Sequence, residues 1–212
     1  MSFDYWWFTV LIDDLDYERI EPEFHEAESQ SDLSIEAIRA IEYWRNNQDQ
    51  FNGSKRIAGM SQEAFKQGKH INDFNRAFSL PGFDKLAMKF CTAENEMASF
   101  MKEENVIRFI SFQRYSPVAT LWHCLGYERA KQLPGKMGNI LLRSDNVLST
   151  IDFIDRVFDG LNPQLLVKRG MEFAGDSNSD EDVKDVLAML KDALLCAQAN
   201  SRGFLALARS QI

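Results

Sequence analysis

Apolar residues recur at helical spacing through most of this chain. Leu86, Phe90, Ala93, Met97 and Phe100 fall at i, i+4, i+7, i+11 and i+14, and predict a helix capped by Asp84 and running to about Asn105. Ile35, Ile38, Ile41 and Trp44 recur at threes. They predict a helix capped by Asp32 or Ser34, with Glu36 in its first turn, ending near Phe51 before an Asn52-Gly53 turn. Ser61 can cap a helix whose apolar face starts at Phe65 and resumes at Ile71, Phe74 and Phe78. Gly68 and Asn72-Asp73 weaken it and can split it in two, and Leu80-Pro81-Gly82 stops it.

Further on, Ser116-Pro117 pairs a cap with proline at the first helical position, and that helix runs towards Leu133. Asp145 caps another, with Leu148, Ile151, Ile154 and Phe158 inward and Gly160 closing it. Asn162-Pro163 starts a short one, and residues 175–179 read as the best candidate for a mobile loop. Ser179 or Asp180 caps the last, with Val183, Val186, Leu187, Leu190 and Leu194 inward; Gly203 can break it before Phe204–Ala208. Residues 3–12 and 106–115 are apolar runs that fit a buried strand or a helix segment, which period alone does not separate. Tyr5, Trp6 and Trp7 are consecutive, so in a strand Trp6 faces opposite to the other two. The expected fold is mainly α: one domain, residues 1–212, forming a bundle of six to seven helices with up to two short strands.

Composition agrees. The chain has 212 residues, 45% apolar and 12% aromatic, enough to bury a core without staples and too aromatic for a disordered chain. Cys91, Cys124 and Cys196 are far apart, which speaks against a disulfide framework and for a reducing compartment. The start, MSFDYWWFTV, has no basic region and no small-residue cleavage site, and no apolar run approaches the roughly 20 residues of a membrane span. The expectation is a cytoplasmic protein.

Charge changes the picture more. The formal net charge is −8. Nine of the 32 acids and one of the 24 bases lie between Asp13 and Asp32, so the remaining 23 acids and 23 bases balance. This acidic segment, 13–32, holds Pro22 as an expected helix breaker. It reads either as a solvated loop or as an interaction patch, and Tyr17, Ile20 and Phe24, interleaved at near-helical spacing, favour the patch. The expected contact residues are Asp13, Asp14, Asp16, Tyr17, Glu18, Glu21, Glu23 and Phe24. The expected partner is a basic protein such as a toxin, met by an acidic inhibitor or immunity-type protein. Lys and Arg are scattered, which argues against nucleic acid.

Catalytic signatures are missing. There is no Walker loop, no GxGxxG after a strand, no GxSxG and no HExxH. No cofactor and no metal is expected. His25 among carboxylates reads as a surface histidine rather than a metal ligand. His123 and Cys124 are helix neighbours pointing about 100° apart and so form no dyad. An alternative enzyme reading would draw on a scattered site of His70, Asp73, His123 and Glu128; a further alternative is a phage or other assembly subunit. Trp122, Leu125, Gly126 and Ala130 match part of a tetratricopeptide pattern, but no second copy lies about 34 residues away, and no family is inferred.

Overall fold

The first and last strands of the chain lie side by side at the centre of a small sheet. In a computed structural model that describes residues 5–51, 62–175 and 179–210, β1 (Tyr5–Ile12) pairs antiparallel with β2 (Val106–Phe112) on one side and β4 (Gly203–Ser210) on the other. β3 (Ile140–Leu142) completes the order β2-β1-β4-β3. Both faces of β1 are covered. The Phe8 ring lies 6.1 Å from Phe90, below one face. On the other face Arg108, the register partner of Thr9, ion-pairs with Asp185 and Asp192. Trp6 is the half-buried member of the Tyr5-Trp6-Trp7 run, with the Arg209 guanidinium 4.6 Å from its ring.

Nine α-helices surround this sheet among the described residues: α1 (Asp14–Ser29), α2 (Ile35–Asn46), α3 (Gln62–Arg76), α4 (Pro81–Cys91), α5 (Pro117–Leu125), α6 (Tyr127–Ala130), α7 (Val147–Phe158), α8 (Pro163–Ala174) and α9 (Asp180–Ala199). The fold is mainly α with a few strands, as expected. Four of the predicted caps hold; Asp145 does not, because it lies inside a 3-10 turn (Ser144–Asn146) and α7 starts after Asn146, which makes no side-chain cap bond. Ser34, Ser116 and Asn162 accept backbone N–H bonds in the first turns of α2, α5 and α8, and Ser179 forms a capping box with Asp182.

Several expectations need correcting. Pro22 does not break the acidic segment: α1 runs through it. Gly68 and Asn72-Asp73 do not split α3. The helix expected over 84–105 ends at Cys91. Leu80 is its N-cap, with Pro81 at the first position, and Thr92 turns extended. A separate 3-10 turn, Glu96–Met101, carries Met97 and Phe100 back into the core, and Ala93 is left exposed. Ile35 and Ile38 are also exposed, at 64% and 43%. Steps of three residues drift about 60° around a helix each time, so positions 35 to 44 cannot share one face. The buried set is Ala40, Ile41 and Trp44. In α7 Leu148 faces out at 57% exposure, and Val147, Ile151, Ile154 and Val157 face in. The helix from Ser116 stops at Leu125, where Gly126 turns the chain into α6. Phe204–Ala208 lies in β4, because a strand buried on both faces loses its alternation. Asn52-Gly53, Ser61, the Phe65 side chain and residues 176–178 lie outside the described residues.

What positions the acidic helix is its seat on α4. A Cβ on Gly82 would lie 2.0 Å from the Ala27 carbonyl oxygen, so only glycine permits this approach. Ser31, fully buried, accepts the Phe83 N–H at 3.3 Å and so joins the end of α1 to the start of α4.

Candidate functional site

The residues predicted to bind a partner separate into an outer and an inner set. Asp13 caps α1, its carboxylate accepting the Asp16 N–H at 2.8 Å. Asp13, Asp14 and Glu18 are exposed; Asp16, Tyr17, Glu21 and Glu23 are half-buried. Phe24 is only 7% exposed, and its ring meets Phe83 edge-on at 5.1 Å. Ile20 is fully buried, and Tyr17 donates to Glu21 at 2.9 Å with the Arg143 guanidinium 5.2 Å from its ring. The aromatic residues read as anchors therefore hold α1 to its own protein. The apolar side chain this helix does present is Leu15, 73% exposed between Asp14 and the Asp16–Glu18 turn.

The fold also brings bases to the acids. Glu23 pairs with Lys89, Asp32 with Lys136 at 3.4 Å, and Glu18 reaches Arg143 at 4.0 Å. The local excess is thus smaller than the linear count. Asp13, Asp14 and Glu26 have no ion pair among the described residues.

The residues of the alternative enzyme reading do not converge. His70 and Asp73 line an open cleft of about 570 Å³ between α2 and α3, where His70 stacks on Tyr43 at 3.8 Å. Arg39, Lys69 and Arg76 line the same cleft without ion pairs among the described residues. Glu128 lies elsewhere, held by Arg45 at 3.0 Å and by Lys131 at 2.5 Å. His25 is exposed, 3.6 Å from Glu28 and 3.9 Å from Glu21. Among the described residues no group of three or more His, Cys, Asp or Glu could hold a metal, and no helix is long and apolar enough to cross a membrane.

His123 sits in a different place. It is 3% exposed and stacked on Phe173 at 4.9 Å, with Nδ1 accepting the Trp44 indole N–H at 3.0 Å. Burial, aided by the Arg169 guanidinium, pushes its pKa down to about 3, so the ring is neutral. It borders a polar cleft of about 370 Å³ between α5, α8 and the turn after α2, with Gln48, Phe51, Leu165, Lys168 and Arg169 around it. Asp49 and Glu172 complete the lining. Sequence reasoning did not assemble this cleft, because Arg169 and Gln48, which hydrogen-bond at 3.2 Å, stand 121 positions apart. Cys124, next to His123, faces the core, and burial pushes its thiol up to about 12, so it carries no thiolate chemistry.

Comparison with protein-family models, curated proteins and solved structures gives no significant match. Geometry therefore carries the functional reading. It offers a braced acidic helix face, an open cleft with mixed charge, and a smaller cleft where a buried imidazole and a guanidinium meet.

Proposed function

We propose that this chain is a protein-binding domain whose α1 face docks on a basic protein, in the manner of an acidic inhibitor or immunity-type protein that neutralises a toxin. The observation that carries this reading is the placement of exposed Asp13, Asp14, Glu18 and Glu26 on one capped helix beside exposed Leu15. A helix braced through Gly82 and Ser31 holds its charges in place before encounter, so little ordering entropy is lost on binding. Electrostatic complementarity of this kind raises the association rate and discriminates against acidic partners. Three free cysteines favour a cytoplasmic setting.

The test uses immobilised wild-type protein and a variant with Asp13→Asn, Asp14→Asn, Asp16→Asn and Glu18→Gln, each exposed to native lysate at low and high salt. The reading expects a basic protein retained by the wild type at low salt and lost from the variant. It should also be lost at high salt, since the Debye length falls from about 10 Å at 0.1 M to about 3 Å at 1 M. Equal retention by both proteins at both salts would remove α1 as the interface.

A further inference from the structure

We propose that the cleft bounded by His123 and Arg169 is a binding site for a small organic carboxylate carrying one negative charge. The Trp44 indole N–H can only donate, so the bond to His123 Nδ1 leaves the imidazole proton on Nε2. That Nε2–H has no hydrogen-bond partner among the described residues, and His123 lines the cleft. Beside it, Arg169 donates one N–H to Gln48 Oε1 at 3.2 Å and has no carboxylate partner among the described residues. Two donors thus converge on one cavity, and among the described residues Gln48 Oε1 is the acceptor that meets either of them. A ligand that displaces solvent there must supply acceptor oxygens or leave a nearly buried donor unmet.

A carboxylate fits this pair. Its two oxygens match the guanidinium fork, and one of them can also take the imidazole N–H. The remaining lining sets the ligand's charge and shape. Glu172 stands 4.0 Å from Lys168, and Asp49 is exposed at the same cleft. These two carboxylates oppose a second negative charge, which disfavours polyanions. Phe51 and Leu165 offer apolar surface for a short tail. About 370 Å³ suits a ligand of this size. The site lies on α5 and α8, so it is independent of the α1 face.

The experiment is calorimetric titration of the full chain with acetate, butyrate and benzoate, with inorganic phosphate and citrate in parallel. The expected result is saturable binding of a monocarboxylate, tighter for butyrate or benzoate than for acetate, and weaker or absent for phosphate and citrate. Arg169→Met should lower the affinity at least tenfold, and Arg169→Lys, which keeps the charge without the fork, should fall between. Arg169 is half-buried on α8, so unfolding midpoints of both variants show whether the fold is intact. His123→Gln, which keeps an N–H donor and an acceptor for Trp44, should retain more binding than His123→Leu. No monocarboxylate binding up to tens of millimolar, a preference for phosphate or citrate, or undiminished binding by folded Arg169→Met would each overturn the proposal.

Discussion

Trp44 and His123 join two helices through a single buried hydrogen bond: the indole N–H on α2 donates to the imidazole Nδ1 on α5 at 3.0 Å. The bond requires a neutral ring with an unprotonated Nδ1. Desolvation enforces that state, and the pKa falls to about 3. The unfolded chain takes up a proton near the ordinary histidine value of about 6.5, whereas the native protein does not until about pH 3. The unfolded state therefore binds more protons in that window, and stability is lost as pH falls through it. Urea unfolding between about pH 7 and 4 should show a decline of a few kcal/mol attributable to this ring. His123→Gln should flatten the slope. An identical pH dependence in wild type and variant would mean that His123 is not neutral and buried as described.

Asp84 gives the opposite sign. Its carboxylate accepts the Ser210 N–H at 2.9 Å and the Ser79 hydroxyl at 2.8 Å, tying the end of β4 to α4. Burial outweighs these bonds and raises its pKa above the usual carboxylate value. A raised carboxylate binds its proton more tightly when folded, so its contribution is present at low pH and declines as pH rises through the folded pKa. Asp84→Asn cannot ionise but keeps an acceptor for Ser210. The variant should gain on the wild type as pH rises from about 3 to 7, measured by paired denaturant melts. A constant difference across that range would contradict the raised pKa.

The packing of α8 depends on Gly170. A Cβ there would lie 2.4 Å from Val183 Cγ1 and 2.9 Å from Cys124 Sγ. Gly170→Ala should destabilise by about 1–3 kcal/mol, because these neighbours are buried and have little room to shift. Adding Val183→Ala to that variant should cost less than Val183→Ala alone costs the wild type, since the new methyl fills the space vacated. Strict additivity in a double-mutant cycle would show that the contact is relieved elsewhere.

The sequence disclosed local features better than long-range ones. Ser116-Pro117, Asn162-Pro163 and Ser179 mark helix starts because a cap acts within one turn, and each is found where expected. The central partnership of β1 with β4 was illegible, because it joins the two ends of the chain and Phe204–Ala208 carries no alternation. β3 is three residues long, too short for any period. The acidic segment was legible in charge but not in form. Its apolar residues at 17, 20 and 24 follow helical spacing because they face α4 and the core, and the same spacing suited a partner-binding face equally well. The His123 cleft draws on the turn after α2, on α5 and on α8, so only the folded chain assembles it.

Leu15 and Phe24 separate what holds α1 from what α1 offers. Phe24 is packed against Phe83 and 7% exposed, so Phe24→Ala should cost about 3–5 kcal/mol, read as a lower unfolding midpoint. Leu15 is 73% exposed, so Leu15→Ala should leave stability within about 0.5 kcal/mol of wild type. Partner binding should sort the two the other way. An exposed leucine ringed by carboxylates gains from being covered, and removing it should speed dissociation with little effect on the salt-dependent association rate. Neutralising Asp13, Asp14, Asp16 and Glu18 should instead slow association, because charge acts on encounter before contact. Asn at position 13 still caps α1, so that variant should keep its fold. The measurement is association and dissociation kinetics of the retained basic partner on wild type, Leu15→Ala and the neutralised variant. Faster dissociation in the first variant and slower association in the second would place both the charge and the apolar contact on α1. Unchanged kinetics in both, with folding intact, would move the interface off this helix.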